Sequence, residues 1–132
     1  MKKVALLIIT LLVAGLAFSA CSLTAVGGGR EITVTARETE HGMSFEPDVI
    51  TVEAGDEVTF VIKNAGSVDH EFESYREGEA GIDEIIIPPG GTRRASWTAP
   101  SEAATFKVYC DLPGHRAAGM ELTLKVVPEA VP

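Results

Sequence analysis

Apolar and polar residues alternate in short runs along residues 31–127, and this period of two restricts the fold more than any other feature of the sequence. Successive side chains of a strand point to opposite faces, whereas an amphipathic helix needs a period near 3.6 residues. The runs lie at 32–36, 50–52, 58–62, around Phe72, and at 85–87, 95–99, 106–108 and 122–126. Turn residues separate them at short intervals. The pattern is typical of an all-β sandwich or barrel, and about 97 residues suit seven to eight strands in two sheets.

The first twenty residues have the pattern of a secretory signal peptide. Two lysines at 2–3 precede a mostly apolar run at 4–20, which is near the short limit for a membrane span, so an uncleaved anchor stays open. The run ends in FSAC at 18–21, which resembles the bacterial lipobox, although Phe18 stands where Leu is usual. This resemblance implies cleavage before Cys21 and a lipid on its sulfur. The alternative is a Cys21 that has no role.

The remaining segments follow from composition. Residues 21–30 contain three consecutive glycines and no periodic pattern, so we expect a flexible tether that begins at the lipidated Cys21. The folded domain is predicted at 31–127, and 128–132 form a short tail. Together these features predict an exported protein, held by a lipid anchor at the outer face of the cytoplasmic membrane or in the periplasm.

Charge and cysteine content exclude several classes of protein. The chain carries 19 acidic and 11 basic residues, a net charge of −8. Removal of the two leader lysines leaves 9 basic residues and a net charge of −10. Such a chain is repelled by phosphate backbones, so we expect no nucleic-acid partner. Two cysteines are too few for a disulfide framework, and no Gly-rich phosphate-binding motif occurs. We expect a monomeric single domain.

Four side chains with metal-binding chemistry are predicted to meet at one end of the sandwich. Cys110, His115 and Met120 follow one another at a Cys-x4-His-x4-Met spacing, and His70 lies upstream. Alternation places His70, Cys110 and Met120 on the same faces as the apolar residues of their runs, so all three are expected to point inward. His115 lies in a loop that a Pro-Gly pair bends. One thiolate, two imidazoles and one thioether would then converge.

This donor set selects among metals. Zinc binds Cys, His and carboxylates but rarely a thioether, whereas a trigonal His2Cys site with a long axial Met describes a blue-copper electron-transfer centre. Taken singly, an inward cysteine or methionine is commonly core filler, and a strand histidine is commonly hydrogen-bonded. The spacing and the shared interior favour ligation. A binuclear centre needs a second cysteine in the loop, and a looser extra site at His41 and Met43 is less favoured than a solvated histidine and a packed methionine.

Further motifs surround these residues. They are the Asn-x-Gly loop at 64–66 before His70, the stretch at 43–47, the Pro-Gly-Gly turn at 89–91, and the Tyr-Cys…Pro-Gly-His…Gly-Met loop at 109–120. With them the chain resembles the cupredoxins, the small type 1 copper proteins, over the whole predicted domain. The resemblance implies a Greek-key β-sandwich.

The resemblance also implies a ligand set. It assigns His70, Cys110 and His115 as equatorial ligands and Met120 as the axial ligand of one type 1 copper ion. Many cupredoxins place Asn directly after the first histidine, where it braces the cysteine loop. Glu71 occupies that position here, which leaves open what supports the thiolate.

The function implied is single-electron transfer between redox proteins outside the cytoplasm, with partners such as a cytochrome or an oxidase. Two other functions stay open: a copper chaperone or buffer that supplies an oxidase or resists copper stress, and an enzyme with a Cys-His nucleophile. Delivery sites are typically more open and rich in Met and His, whereas this chain has three of each. Because Cys110 is predicted inward with no third group and no open coordination position, we do not expect an enzyme.

Two surfaces are candidates for partner docking. Small or apolar residues surround His115, the ligand expected nearest the surface, and they are Leu112, Pro113, Ala117 and Ala118. Seven acids lie between residues 69 and 84 against Arg76 alone, namely Asp69, Glu71, Glu73, Glu77, Glu79, Asp83 and Glu84. An ordinary surface loop and a solvated strand face are the alternatives. The acidic run, with Glu77, Glu79 and Glu84 as its test positions, is predicted to steer a basic partner.

Overall fold

The computed structural model describes residues 29–74 and 81–130. The predicted signal peptide, Cys21, most of the tether, Glu77 and Glu79 lie outside these residues. Within them there are nine strands, and no helix is long and apolar enough to cross a membrane. The strands are β1 (Arg30–Thr39), β2 (Gly42–Glu46), β3 (Val49–Glu53), β4 (Glu57–Asn64), β5 (His70–Ser74), β6 (Ile82–Ile87), β7 (Thr92–Thr98), β8 (Ala104–Tyr109) and β9 (Glu121–Val127).

These strands form two sheets that enclose one core, which confirms the predicted all-β sandwich. The first sheet has the order β2-β1-β4-β7, and the second has the order β3-β9-β8-β5-β6. The pairs β1/β4 and β3/β9 are parallel, whereas the other recorded pairs are antiparallel. Because β1 and β4 run in the same direction, both end at the same end of the sandwich.

Strand β2 is the element that the alternation did not indicate. It has five residues, of which Phe45 is buried while Met43 and Ser44 are only half-buried, so its side chains show no clear period of two. Its backbone nevertheless pairs with the second half of β1. Strand β1 itself begins at Arg30, which the sequence assigned to the tether, and the Arg30 guanidinium donates a hydrogen bond to the Thr51 carbonyl at 3.1 Å.

A row of aromatic rings crosses the core between the sheets. Neighbouring ring centroids lie 5.5–6.2 Å apart along the row, and two of the contacts are edge-to-face. Such pairs contribute about 0.5–1.5 kcal/mol each beyond the burial of their area. The row consists of Phe45, Phe72, Phe60, Trp97 and Phe106. Because it includes Phe72 of β5, the core fixes the strand that begins at His70.

We predict that Phe60→Ala lowers the free energy of unfolding of the metal-free protein by about 3–5 kcal/mol. The Phe60 side chain is fully buried and contacts two rings of the row, so its removal leaves a cavity that the sheets can fill only in part. Denaturant unfolding measures the change. Ile86→Ala is the control, because Ile86 is 51% exposed, and it should cost less than about 1 kcal/mol. Equal losses in the two variants would contradict this account of the core.

Candidate metal centre

Three donor atoms from distant parts of the chain meet at one end of the sandwich. His70 is the first residue of β5, Cys110 directly follows β8, and His115 lies in the loop between β8 and β9. Their donor atoms all lie within 4.8 Å of one another. His115 Nδ1 is 3.3 Å from Cys110 Sγ and 3.3 Å from His70 Nδ1. The structure therefore brings together the three equatorial ligands that the sequence proposed.

Burial differs among these three residues, and the alternation predicted the burial of His70 and Cys110. His70 and Cys110 are fully buried, whereas His115 is only partly buried. Within the described ranges Cys110 is a free thiol. His70 and Cys110 thus point into the core, and His115 is the member of this group that approaches solvent.

Met120 is joined to the same cluster through its backbone. Its side chain is fully buried, and it directly precedes β9. The Met120 N–H donates to the His115 carbonyl, and the Met120 carbonyl accepts from the Cys110 N–H, both at 3.1 Å. The residue proposed as the axial ligand therefore lies beside two of the equatorial ones.

The ligand loop is a series of tight turns. The His115 N–H donates to the Leu112 carbonyl at 3.0 Å, which closes a turn around Gly114, whose φ of +88° suits glycine. Strand β2 holds the far side of the loop, because the Met43 N–H donates to the Ala118 carbonyl at 2.9 Å. Met43 thus supports the loop through its backbone. His41 is exposed and does not belong to the three-residue ligand group found in the described residues.

Backbone groups surround the Cys110 sulfur. The Glu71 N–H donates to Sγ at 3.2 Å, and the Leu112 N–H is a second donor. Burial raises the pKa of the Cys110 thiol, and these two donors oppose that rise because they favour the thiolate. The Glu71 carboxylate also accepts a hydrogen bond from the Asp111 N–H. Glu71 therefore connects β5, which begins at His70, to the loop that contains Cys110 and Asp111.

Two further polar residues lie near His70: Asn64, which the sequence analysis named as part of the Asn-x-Gly loop, and Glu38, which it missed. Asn64 is buried and ends β4; its amide donates to the carbonyls of Val68 and Ile87 at 2.7 and 2.8 Å and accepts from the Gly66 N–H at 2.9 Å. Glu38 ends the inward row of β1 and binds the same loop through Ser67 and Val68, at 2.7–3.1 Å. Both share the parity of core residues on their strands, and a polar residue at the end of an inward row is the signal that indicates them.

Acidic side chains lie beside the cluster. Burial raises the pKa of Glu71 and of Glu73, and the negative charges of Glu84 and Asp111 raise both further. We call these four residues the acidic face. Of the proposed docking residues, Glu84, Pro113 and Ala117 are exposed, Ala118 is half-buried, and Leu112 packs partly against the core.

The donor set fits a soft transition-metal ion. Bonds of about 2.0–2.3 Å to nitrogen and sulfur place neighbouring donors about 3–4 Å apart around one ion. The two 3.3 Å separations lie in that range. Both imidazoles present Nδ1, and no carboxylate belongs to the group of three. A thiolate with two imidazoles suits copper or zinc.

Comparison with known proteins agrees with this geometry. A copper-resistant cuproprotein CopI from Rubrivivax gelatinosus is 33% identical over 93 residues, which cover 59% of this chain and 56% of the relative. A CopI from Vibrio cholerae is 30% identical over 100 residues, covering 64% and 58%. The chain thus spans little more than half the length of these relatives.

A solved structure and a family model extend the comparison. Auracyanin A, a "blue" copper protein from Chloroflexus aurantiacus, superposes with a TM-score of 0.64 at 25% identity, over 76% of this chain and all of that one. The model of the cupredoxin-like domain matches residues 7–123. The chain therefore belongs to the family of cupredoxin-like domains.

Proposed function

We propose that the chain binds one copper ion in a type 1 centre and carries single electrons between redox proteins outside the cytoplasm. His70, Cys110, His115 and Met120 would hold this ion. The convergence of the Cys110 thiol with two imidazole Nδ1 atoms in a buried corner carries the proposal. Copper bound there supplies a one-electron couple between Cu(I) and Cu(II).

The residues around the ligands limit movement at the centre. Two strands, a loop closed by its own hydrogen bonds and the contact from β2 determine where the donor atoms lie. The N–H groups of Glu71 and Leu112 stabilise the deprotonated sulfur of Cys110. Electrons leave through His115, because it is the partly exposed ligand.

Copper handling is the second candidate, and the relatives favour it. Two proteins named copper-resistant cuproproteins match this chain, which suggests a buffer or chaperone that withstands copper stress. Against this, the described residues contain a single group of three possible His, Cys or carboxylate ligands, and two of its members are fully buried. Such a site retains an ion better than it passes one on, which argues against a chaperone but not against a buffer. The leader and Cys21 support an exported, lipid-anchored location for either function.

The visible spectrum of the Cu(II) protein tests the proposed centre. We expect an intense thiolate-to-copper charge-transfer band in the wild type and its complete loss in Cys110→Ser, because a hydroxyl cannot supply a soft thiolate. Circular dichroism checks that the fold is kept. Cys21→Ser is the matched control and should keep the full band. A pale wild-type complex would favour copper handling, and a band that persists in Cys110→Ser would exclude this centre.

Exchange of the proposed axial ligand tests the role of Met120. We predict that Met120→Gln keeps the coloured site and lowers its reduction potential, because the harder amide oxygen favours Cu(II). Each tenfold change in the preference for Cu(II) over Cu(I) is about 59 mV. Voltammetry measures the shift. Met43→Gln is the control, since Met43 supports the loop through its backbone, and it should leave the potential unchanged. A potential that rises in Met120→Gln would contradict axial ligation.

We also propose that partners dock over His115 and the neighbouring acidic face. Ala117 and Pro113 form an exposed apolar rim at the loop, while Glu71, Glu73, Glu84 and Asp111 concentrate negative charge next to it. An acidic surface beside the exit ligand attracts a basic redox protein, such as a cytochrome, and orients it.

The salt dependence of electron transfer tests this docking surface. We expect the second-order rate with a basic cytochrome to fall as ionic strength rises, because salt screens the attraction. Glu84 belongs to the acidic face, and Glu77 and Glu79 belong to the same acidic run of the sequence, although they lie outside the described residues. Reversal of these three residues to Lys should slow transfer at low salt and remove most of that dependence. The control reverses three other acidic residues to Lys, namely Glu53, Glu57 and Glu102. Glu57 begins β4 and lies at the end of that strand away from Asn64, Glu53 ends β3, and Glu102 lies between β7 and β8. This control should have a smaller effect on the rate. Equal effects of the two triple variants would show that only net charge matters.

A further inference from the structure

The Glu38 carboxylate lies between the loop that precedes His70 and the ring of His70 itself. Oε1 accepts hydrogen bonds from the N–H groups of Ser67 and Val68 at 2.7 and 3.1 Å, and Oε2 accepts from Ser67 Oγ at 2.7 Å. The same Oε1 lies 3.6 Å from His70 Nε2. These three hydrogen bonds favour the carboxylate form of Glu38. A fixed negative charge thus faces the ring edge that points away from the other donors.

Gly66 leaves the space through which this carboxylate reaches the histidine. A Cβ at position 66 would clash with Glu38 Oε1 and would lie 3.2 Å from His70 Nε2. Any other residue would therefore push the carboxylate away from the ring. Asn64 holds this glycine in place through its side-chain oxygen.

His70 Nε2 needs an acceptor. The atom is buried and has no hydrogen-bond partner within residues 29–74 and 81–130. His70 Nδ1 faces His115 Nδ1 at 3.3 Å. An imidazole that binds a metal through Nδ1 carries its proton on Nε2 and becomes a donor there. A buried donor without an acceptor destabilises the folded protein.

We propose that Glu38 is the positioning residue of His70: it accepts the Nε2–H proton in a hydrogen bond, holds Nδ1 toward the metal, and lowers the reduction potential of the centre. The proposal rests on the copper site proposed above. Carboxylate–histidine–metal arrangements make the imidazole a stronger donor. A negative charge close to a ligand also favours Cu(II) over Cu(I), so both effects act in the same direction.

The test compares Glu38→Gln with Glu40→Gln in the full-length copper protein. Gln keeps an oxygen for the Ser67 and Val68 hydrogen bonds but removes the charge. Glu40 is exposed, lies two residues further along, and serves as the matched control for the loss of one negative charge. We expect Glu38→Gln to lower the preference for Cu(II) over Cu(I) about tenfold, a rise of about 59 mV. Glu40→Gln should change this preference less than twofold.

Two further measurements separate an electrostatic effect from a structural one. Gly66→Ala should displace the carboxylate and raise the potential in the same direction, while the double variant Glu38→Gln/Gly66→Ala should rise no further than Glu38→Gln alone. In the Cu(I) protein, the NMR signal of the His70 Nε2 proton should lie downfield in the wild type and move upfield in Glu38→Gln. If Glu38→Gln fails to fold, Gly66→Ala and the wild-type proton signal decide.

The outcomes distinguish this proposal from that of the copper site. A wild-type protein without a charge-transfer band would overturn the type 1 centre itself. A wild-type band together with equal potentials in Glu38→Gln and Glu40→Gln would keep the centre and overturn the role of Glu38. Additive effects of the Glu38 and Gly66 changes, or a His70 proton signal that does not move, would also contradict the proposal.

Discussion

At one end of the sandwich, the inward-facing rows of four strands begin or end at a polar side chain or a thiol, and the candidate centre depends on this arrangement. Glu38 ends the row of β1, Asn64 ends that of β4, Cys110 continues that of β8, and His70 begins that of β5. Buried polar groups are stable only when they have partners. Asn64 has three hydrogen bonds, whereas the Nδ1 atoms of both histidines face each other beside a thiol. A bound metal cation would be a partner for these two nitrogen atoms and the sulfur.

Hydrogen bonds within and to the two loops around the centre support this arrangement. The loop before His70 is bound by Asn64 and Glu38, and the loop after Cys110 is bound by its own turns and by β2. Each bond contributes only about 0.5–1.5 kcal/mol to stability. Their main effect is to restrict where the ligand atoms lie before any ion binds. A site shaped in advance changes little between oxidation states, which is what rapid single-electron transfer needs.

The sequence predicted which side chains of each strand face inward, but not which strands would be neighbours. Alternation correctly placed His70, Cys110 and Met120 inside, because the parity of a residue depends only on its own strand. The contact between Glu38 and His70 depends on β1 lying parallel to β4 and on the loop that follows β4, and neither is encoded by a local spacing. The alternation did not predict β2, because β2 forms a strand through its backbone pairing with β1 while its side chains show no clear period of two. The support of the thiolate was left open because backbone N–H groups, which no residue type reveals, provide much of it.

Burial bears on the choice between electron transfer and copper handling. His115 is the partly exposed member of the ligand group, so an incoming or outgoing ion must pass the loop that carries it. That loop is closed by hydrogen bonds from His115 to Leu112 and from Met120 to His115, and β2 holds it at Ala118. Release of an ion from this group would require the opening of several of these hydrogen bonds, whereas electron transfer through the partly exposed imidazole would break none of them. A buffer that keeps copper bound tolerates this barrier, but a chaperone that must hand copper over does not. For the proposed copper centre, this burial fits electron transfer or retention of copper better than it fits copper delivery.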